Sequence, residues 1–131
     1  MNQYTLKKVE RLCAKSQIDL LFKQNDSVFK YPLKVFFVGQ KTDSDRPSQV
    51  LIVVSKRNYK RAVDRNRIKR LIREAYRKNK GVLYQYANVK GMYVSLAIVY
   101  VGKTILPMSE IERKLILILQ RISNKDEEST G

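Results

Sequence analysis

With 131 residues, and 27 Lys and Arg against 12 Asp and Glu, the chain carries a formal charge of +15. That imbalance exceeds what solubility requires and points to a polyanionic partner, while the length suits one domain, 1–131, with a single core. Histidine is absent and Cys13 is the lone cysteine, which removes the commonest general base, any intramolecular disulfide and the usual zinc ligand sets.

Residues 1–15 are basic and poorly periodic, and read as an arm. They lack the apolar stretch of a signal peptide, and no run in the chain approaches the roughly 18 apolar residues of a membrane span. Together with the unpaired cysteine, this points to the cytoplasm. Ser16 then has the character of a helix cap, with Asp19 as its weak partner three residues on. Ile18, Leu21 and Phe22 give one apolar stripe on a short helix ending near Lys23. A short strand is expected at 28–31 and a clearer one at 33–39. In the latter, Val35 and Phe37 alternate against Lys34, Phe36 and Val38. One face therefore carries an aromatic beside a lysine, a common platform for nucleic acid. Residues 41–48 read as an exposed hairpin loop. The nearly all-apolar Gln49-Val50-Leu51-Ile52-Val53-Val54 reads as a central strand covered on both faces.

The most informative stretch is 55–78, where 24 residues hold 11 of the 27 Lys and Arg and only two acids, Asp64 and Glu74. Ile68, Leu71, Ile72, Ala75 and Tyr76 recur at i, i+3, i+4, i+7 and i+8, the stripe of an amphipathic helix. Arg65, Asn66, Lys69, Arg70, Arg73 and Arg77 then fan over its side and back. Charge runs are ordinarily solvated helix faces, but here the sign is almost uniform and Arg outnumbers Lys. Arg65/Lys69, Lys69/Arg73 and Arg73/Arg77 place like charges at i, i+4, each costing about 0.2–0.5 kcal/mol. A partner that neutralises them accounts for their presence, and Arg binds phosphate bidentately and stacks on bases. Asn58 is a plausible cap for this helix.

Periodicity breaks over 78–91, a third strand follows at 92–101, and Ser109 with Glu112 predicts the capped start of a last helix. Its stripe is Ile111, Leu115, Ile118, Leu119 and Ile122. Residues 124–131 are acidic and polar, and read as a disordered tail. The order predicts a split α+β sandwich. If the strands flanking the basic helix are parallel, a right-handed crossover is the general expectation.

Little supports catalysis by the chain. Asp43 and Asp45 lie in a loop and Glu110 and Glu112 at a helix start, where they complement the helix dipole. The segment Val101-Gly102-Lys103-Thr104 matches only the tail of a phosphate-binding loop, because Ala97 stands where its first glycine belongs. A protein-only nuclease is therefore disfavoured.

The stretch Arg65-Asn66-Arg67-Ile68-Lys69-Arg70-Leu71-Ile72-Arg73-Glu74 resembles the signature of bacterial ribonuclease P protein components. Ser55-Lys56-Arg57 and Ala62-Val63 before it, Ala75-Tyr76-Arg77 after it, and Leu12, Ile18, Phe22 and Lys23 upstream extend the resemblance. It implies an αβββαβα sandwich whose central, mostly antiparallel sheet is joined by a left-handed βαβ crossover carrying the basic helix, as in a ribosomal-protein domain. It also implies the protein subunit of a ribozyme that removes the 5′ leader of precursor tRNA. The partners are then the catalytic RNA subunit and precursor tRNA, not a membrane or a small molecule. The protein binds no cofactor itself, and Mg²⁺ enters through the RNA. The residues implied for the RNA subunit are Arg61, Arg65, Arg67, Lys69, Arg70 and Arg73. Those implied for the leader are Ile18, Phe22, Phe36, Ser55, Lys56, Arg57, Arg65 and Asn66. The alternative is a ribosome- or structured-RNA-binding protein with no associated catalysis.

Overall fold

Strands form where β-branched and aromatic residues concentrate, and helices where apolar residues return every three to four positions. The computed structural model describes residues 19, 23, 26–41 and 48–130, apart from the side chains of 40, 41 and 125–130. Strands β1 (Ser27–Lys30), β2 (Leu33–Lys41) and β3 (Gln49–Val54) lead into helices α1 (Ala62–Asn79) and α2 (Gly81–Lys90). Strand β4 (Met92–Tyr100) and helix α3 (Met108–Thr130) complete the chain. Asp19 and Lys23 are also helical and exposed, while Ile18 and Phe22 lie outside the described residues.

The sheet has the order β1-β2-β4-β3, with β1–β2 and β2–β4 antiparallel and β3–β4 parallel. This mixed α+β arrangement agrees with the expected sandwich and corrects one detail of it. The interior strands are β2 and β4, the latter almost wholly buried, and β3 lies at an edge. β3 is apolar on both faces without being central because Val50 and Val54 enter the main core while Leu51 packs against Ala97 on the other side.

Strand alternation sorts the side chains into two layers. Leu33, Val35 and Phe37 of β2, Val50 and Val54 of β3, and Leu96, Ile98 and Tyr100 of β4 face the helices. They meet Ile68, Ile72, Ala75 and Tyr76 of α1 and Ile111, Leu115, Ile118, Leu119 and Ile122 of α3 in one core. The predicted stripes of both helices are therefore their buried faces, with Leu71 half-buried at the margin.

Local readings change at several points. Helix α2 occupies the span where periodicity breaks; only Leu83 and Ala87 of it are fully buried, too few to set a visible stripe. Its end is marked by Gly91, whose φ of 65° suits glycine and whose amide reaches the carbonyls of Ala87 and Asn88. Helix α1 begins at Ala62 behind Arg61, with no side-chain cap, and Asn58 is exposed. Helix α3 begins at Met108, so Ser109 lies inside it, and the Pro107 carbonyl accepts from the amides of Glu110 and Ile111. Glu112 accepts instead from Asn79 Nδ2 at 3.0 Å, tying the end of α1 to α3. Ser48 is buried, not part of an exposed loop: its Oγ accepts from the Val94 amide at 3.1 Å and adds a rung to the parallel ladder. Helix α3 itself continues through the acidic segment to Thr130.

Tyr59 fixes the turn between β3 and α1 against the end of β4. Its hydroxyl donates to the Gly102 carbonyl at 2.7 Å, its amide donates to the Ser55 carbonyl at 3.1 Å, and its ring meets Tyr100 edge-on at 6.2 Å. Gly102 is required there, because a Cβ would stand 2.8 Å from Pro32 Cβ and 3.1 Å from the Tyr100 ring. Tyr100 in turn donates to the Thr104 carbonyl at 2.6 Å and accepts from the Leu106 amide at 3.0 Å.

This packing has testable consequences. Ile72→Ala removes a fully buried side chain between α1 and the sheet and should cost about 2–5 kcal/mol, read as a lower urea midpoint with an unchanged slope. Tyr59→Phe leaves the Gly102 carbonyl without its donor and should cost about 1–3 kcal/mol. Burial, with Tyr100 and Tyr31 nearby, holds the Tyr59 hydroxyl above its ordinary pKa of 10.0. The folded chain thus keeps this proton to higher pH than the unfolded chain. Stability should be full below pH 10 and fall as pH rises beyond it, less steeply in Tyr59→Phe.

Candidate nucleic-acid interface

The basic residues of α1 lie where the buried stripe leaves them. Arg61, Asn66, Arg67, Arg70 and Arg73 are exposed, and Lys69 is half-buried along the helix flank. Arg65 is also half-buried, and its Nη1 donates to the carbonyls of Tyr59 at 2.8 Å and Lys60 at 2.9 Å. Its guanidinium thus closes the turn before the helix, so Arg65 has a structural task whatever else it contacts. At the other end of α1, Glu74 takes Arg77 in a two-point ion pair and lies 4.0 Å from Lys78. The Arg77 hydrogen bond holds the Glu74 carboxyl below the usual carboxylate range. Arg77 is therefore partly neutralised within the chain, whereas no ion pair engages Arg67, Arg70 or Arg73 among the described residues.

The turn from β3 to α1 presents the next group. Ser55 Oγ accepts from the Arg57 amide at 3.0 Å, and Lys56 and Arg57 project into solvent. Because Tyr59 is anchored to Gly102, this turn sits beside the segment after β4, where Lys103 is exposed.

The third group lies on the opposite face of the sheet from α1 and α3. Phe36, half-buried, packs with Val38 and Leu51 around the fully buried Ala97. Lys34 Nζ stands over the Phe36 ring at 5.1 Å, within cation–π reach. The structure thus puts Phe36 in a different layer from Arg67, Arg70 and Arg73. Of the residues named from the sequence, Ser55, Lys56 and Arg57 lie between these layers, at the end of β3. Arg61, Arg65 and Asn66 lie at the start of the helix that follows.

Such a surface can bind phosphates along the helix and stack an unpaired base beside Lys34 and Phe36. Among the described residues, no three His, Cys, Asp or Glu gather as metal ligands, and no helix is long and apolar enough to cross a membrane. Sequence reasoning missed Tyr59 as an anchor and the carbonyl-bonded state of Arg65. A tyrosine two residues after a basic pair carries no sign of a contact 43 residues away.

Comparison with known proteins agrees with the fold and the basic helix. The family model described as Ribonuclease P matches residues 6–123. The ribonuclease P protein component of Porphyromonas gingivalis is 33% identical over 120 residues, covering 92% of this chain and 88% of the relative. That of Chlorobium phaeobacteroides is 40% identical over 108 residues, covering 75% and 73%. Among solved structures, the RNase P protein of Thermotoga maritima superposes with a TM-score of 0.66 at 27% identity, covering 86% of this chain and 96% of that one. The RNase P protein of Staphylococcus aureus shares the fold, with a TM-score of 0.67 at 20% identity, covering 86% and 94%. With its signature on a helix docked across a mixed four-stranded sheet, the chain belongs to the ribonuclease P protein family.

Proposed function

We propose that the chain is the RNA-binding subunit of a cytoplasmic ribonuclease P, holding the catalytic RNA subunit and the 5′ leader of precursor tRNA for removal of that leader. The observation that carries this reading is the division of the surface into two layers. An exposed arginine row lies on α1, and an aromatic-lysine platform lies on the far face of the sheet, with the Ser55–Arg57 turn between them.

In this reading the arginine row, with Arg61, Arg67, Lys69, Arg70 and Arg73, meets the folded RNA subunit. Its phosphates replace the missing counter-charge of α1. Phe36, with Ser55, Lys56, Arg57 and Asn66, takes the single-stranded leader. Ile18 and Phe22 belong to the same leader group by resemblance. Arg65 bridges the two groups and also closes its own turn. Base stacking on an aromatic tolerates any sequence, as a subunit serving many tRNA precursors requires. Cleavage itself belongs to the RNA and its Mg²⁺. The chain contributes affinity and neutralises phosphate charge, and none of its residues touches the reacting bond.

Three outcomes are expected. The purified chain should not cleave precursor tRNA, but should accelerate cleavage by its cognate RNA subunit most at low Mg²⁺. Failure to accelerate, with tight binding to ribosomes instead, would favour a structured-RNA-binding protein without catalysis. Arg70→Ala with Arg73→Ala should weaken assembly with the RNA subunit and reduce the slope of log K against log salt by about one per lost phosphate contact. Arg65 is avoided in that variant because its loss also frees the turn. Phe36→Ala should leave assembly intact and cost about 1–3 kcal/mol of affinity for precursors carrying a leader, measured against mature tRNA.

A further inference from the structure

The outer face of the sheet also carries an exposed aromatic at its far edge. Phe29 on β1 is 57% exposed. A single exposed phenylalanine is ordinary on a protein surface, so exposure alone decides nothing. The register gives it a context. Phe29 pairs with Lys34, Lys34 with Val99, and Val99 with Val53, one row running straight across all four strands. Opposed residues share a face, so Phe29 and Lys34 leave the sheet on the side that carries Phe36. Phe36 is the diagonal neighbour of Phe29, about 7–8 Å away. At the other end of the row, Ser55 follows Val53 by two residues, so the row begins beside the basic turn and ends at Phe29. Three strand spacings of about 4.8 Å make that path roughly 14 Å long.

Charge selects the occupant. None of the four strands contains Asp or Glu, so Lys34 meets no acidic neighbour within the sheet. A second copy of the chain would bring another +15 against this edge. An unpaired nucleotide brings a flat ring for Phe29 and a phosphate for Lys34.

We propose that Phe29, with Lys34 beside it, is an outer stacking subsite for single-stranded RNA, extending the Phe36 platform to the edge of the sheet. This rests on the outer face being the leader surface, and it adds that the chain grips nucleotides of the leader farther out than those at Phe36.

The test uses the holoenzyme reconstituted with its RNA subunit and precursor tRNAs with leaders of increasing length. Affinities are measured for the wild type, Phe29→Ala, Phe29→Tyr and Phe36→Ala. Phe29→Ala should lose about fivefold or more in affinity for long leaders and much less for the shortest, while Phe29→Tyr retains the wild-type response. Phe36→Ala should lose affinity at every leader length. Equal affinities for Phe29→Ala and wild type at all lengths would overturn the subsite. It would also be overturned by a change in self-association of Phe29→Ala, seen by sedimentation, with RNA affinity unchanged, which would assign the edge to a second copy. A wild-type holoenzyme indifferent to leader length would instead overturn the assignment of the outer face on which the subsite rests. Because Phe29 is exposed, matching thermal melts should confirm that all variants are folded.

Discussion

Burial of Ile68, Ile72, Ala75 and Tyr76 against the sheet is the contact on which the rest of the molecule depends. Helix α1 would be a poor helix alone, with three like-charged i, i+4 pairs together costing about 1 kcal/mol. Each isoleucine contributes roughly 1.5–3 kcal/mol through burial, so the core outweighs the repulsion with margin to spare. The charges are tolerated because the core holds the helix, and the helix then holds the charges in a fixed row. A flexible basic tail could offer the same charge, but it would lose conformational freedom on binding that α1 has already given up.

The two layers of the sheet divide the surface in a way a list of basic residues would not suggest. The helix layer presents guanidinium groups and the outer face presents an aromatic with its lysine. The turn between β3 and α1 lies between them. That turn is held from three directions: Tyr59 to Gly102, Tyr59 to Ser55, and Arg65 back to the carbonyls of Tyr59 and Lys60. Lys56 and Arg57 therefore stand on a rigid support although both are solvent-exposed.

Much of this was legible in the sequence where a period or an alternation was strong. The α1 stripe, the α3 stripe and the opposition of Phe36 to Val35 and Phe37 are all patterns of a single element, and all are found. What escaped depends on contacts between distant elements. β3 reads as central because both its faces are apolar, yet its place at the edge is set by β4, which enters the sheet between β2 and β3. Ser48 reads as loop because nothing nearby announces that its hydroxyl will meet the Val94 amide. Helix α2 was hidden because two buried residues make no stripe, although Gly91 marked its end. For the site, residue types were legible and their grouping was not. Arg65 and Arg70 are alike in the sequence, but one guanidinium is spent on the backbone and the other is not.

The position of β4 also sets an order of events. This interior strand is the last of the four to leave the ribosome, and the Ser48–Val94 contact spans 46 residues. Until β4 arrives, β3 has no strand partner and α1 has only part of a surface to lie on. Such long-range pairing is the slow part of assembly, and it leaves an apolar strand followed by a highly cationic segment uncovered during synthesis. The Tyr59 anchor on Gly102 and the Ala97 floor beneath Phe36 both come into being in that one closing step. The nascent chain thus acquires its charge early and its shape late, so selective recognition must await the insertion of a single strand.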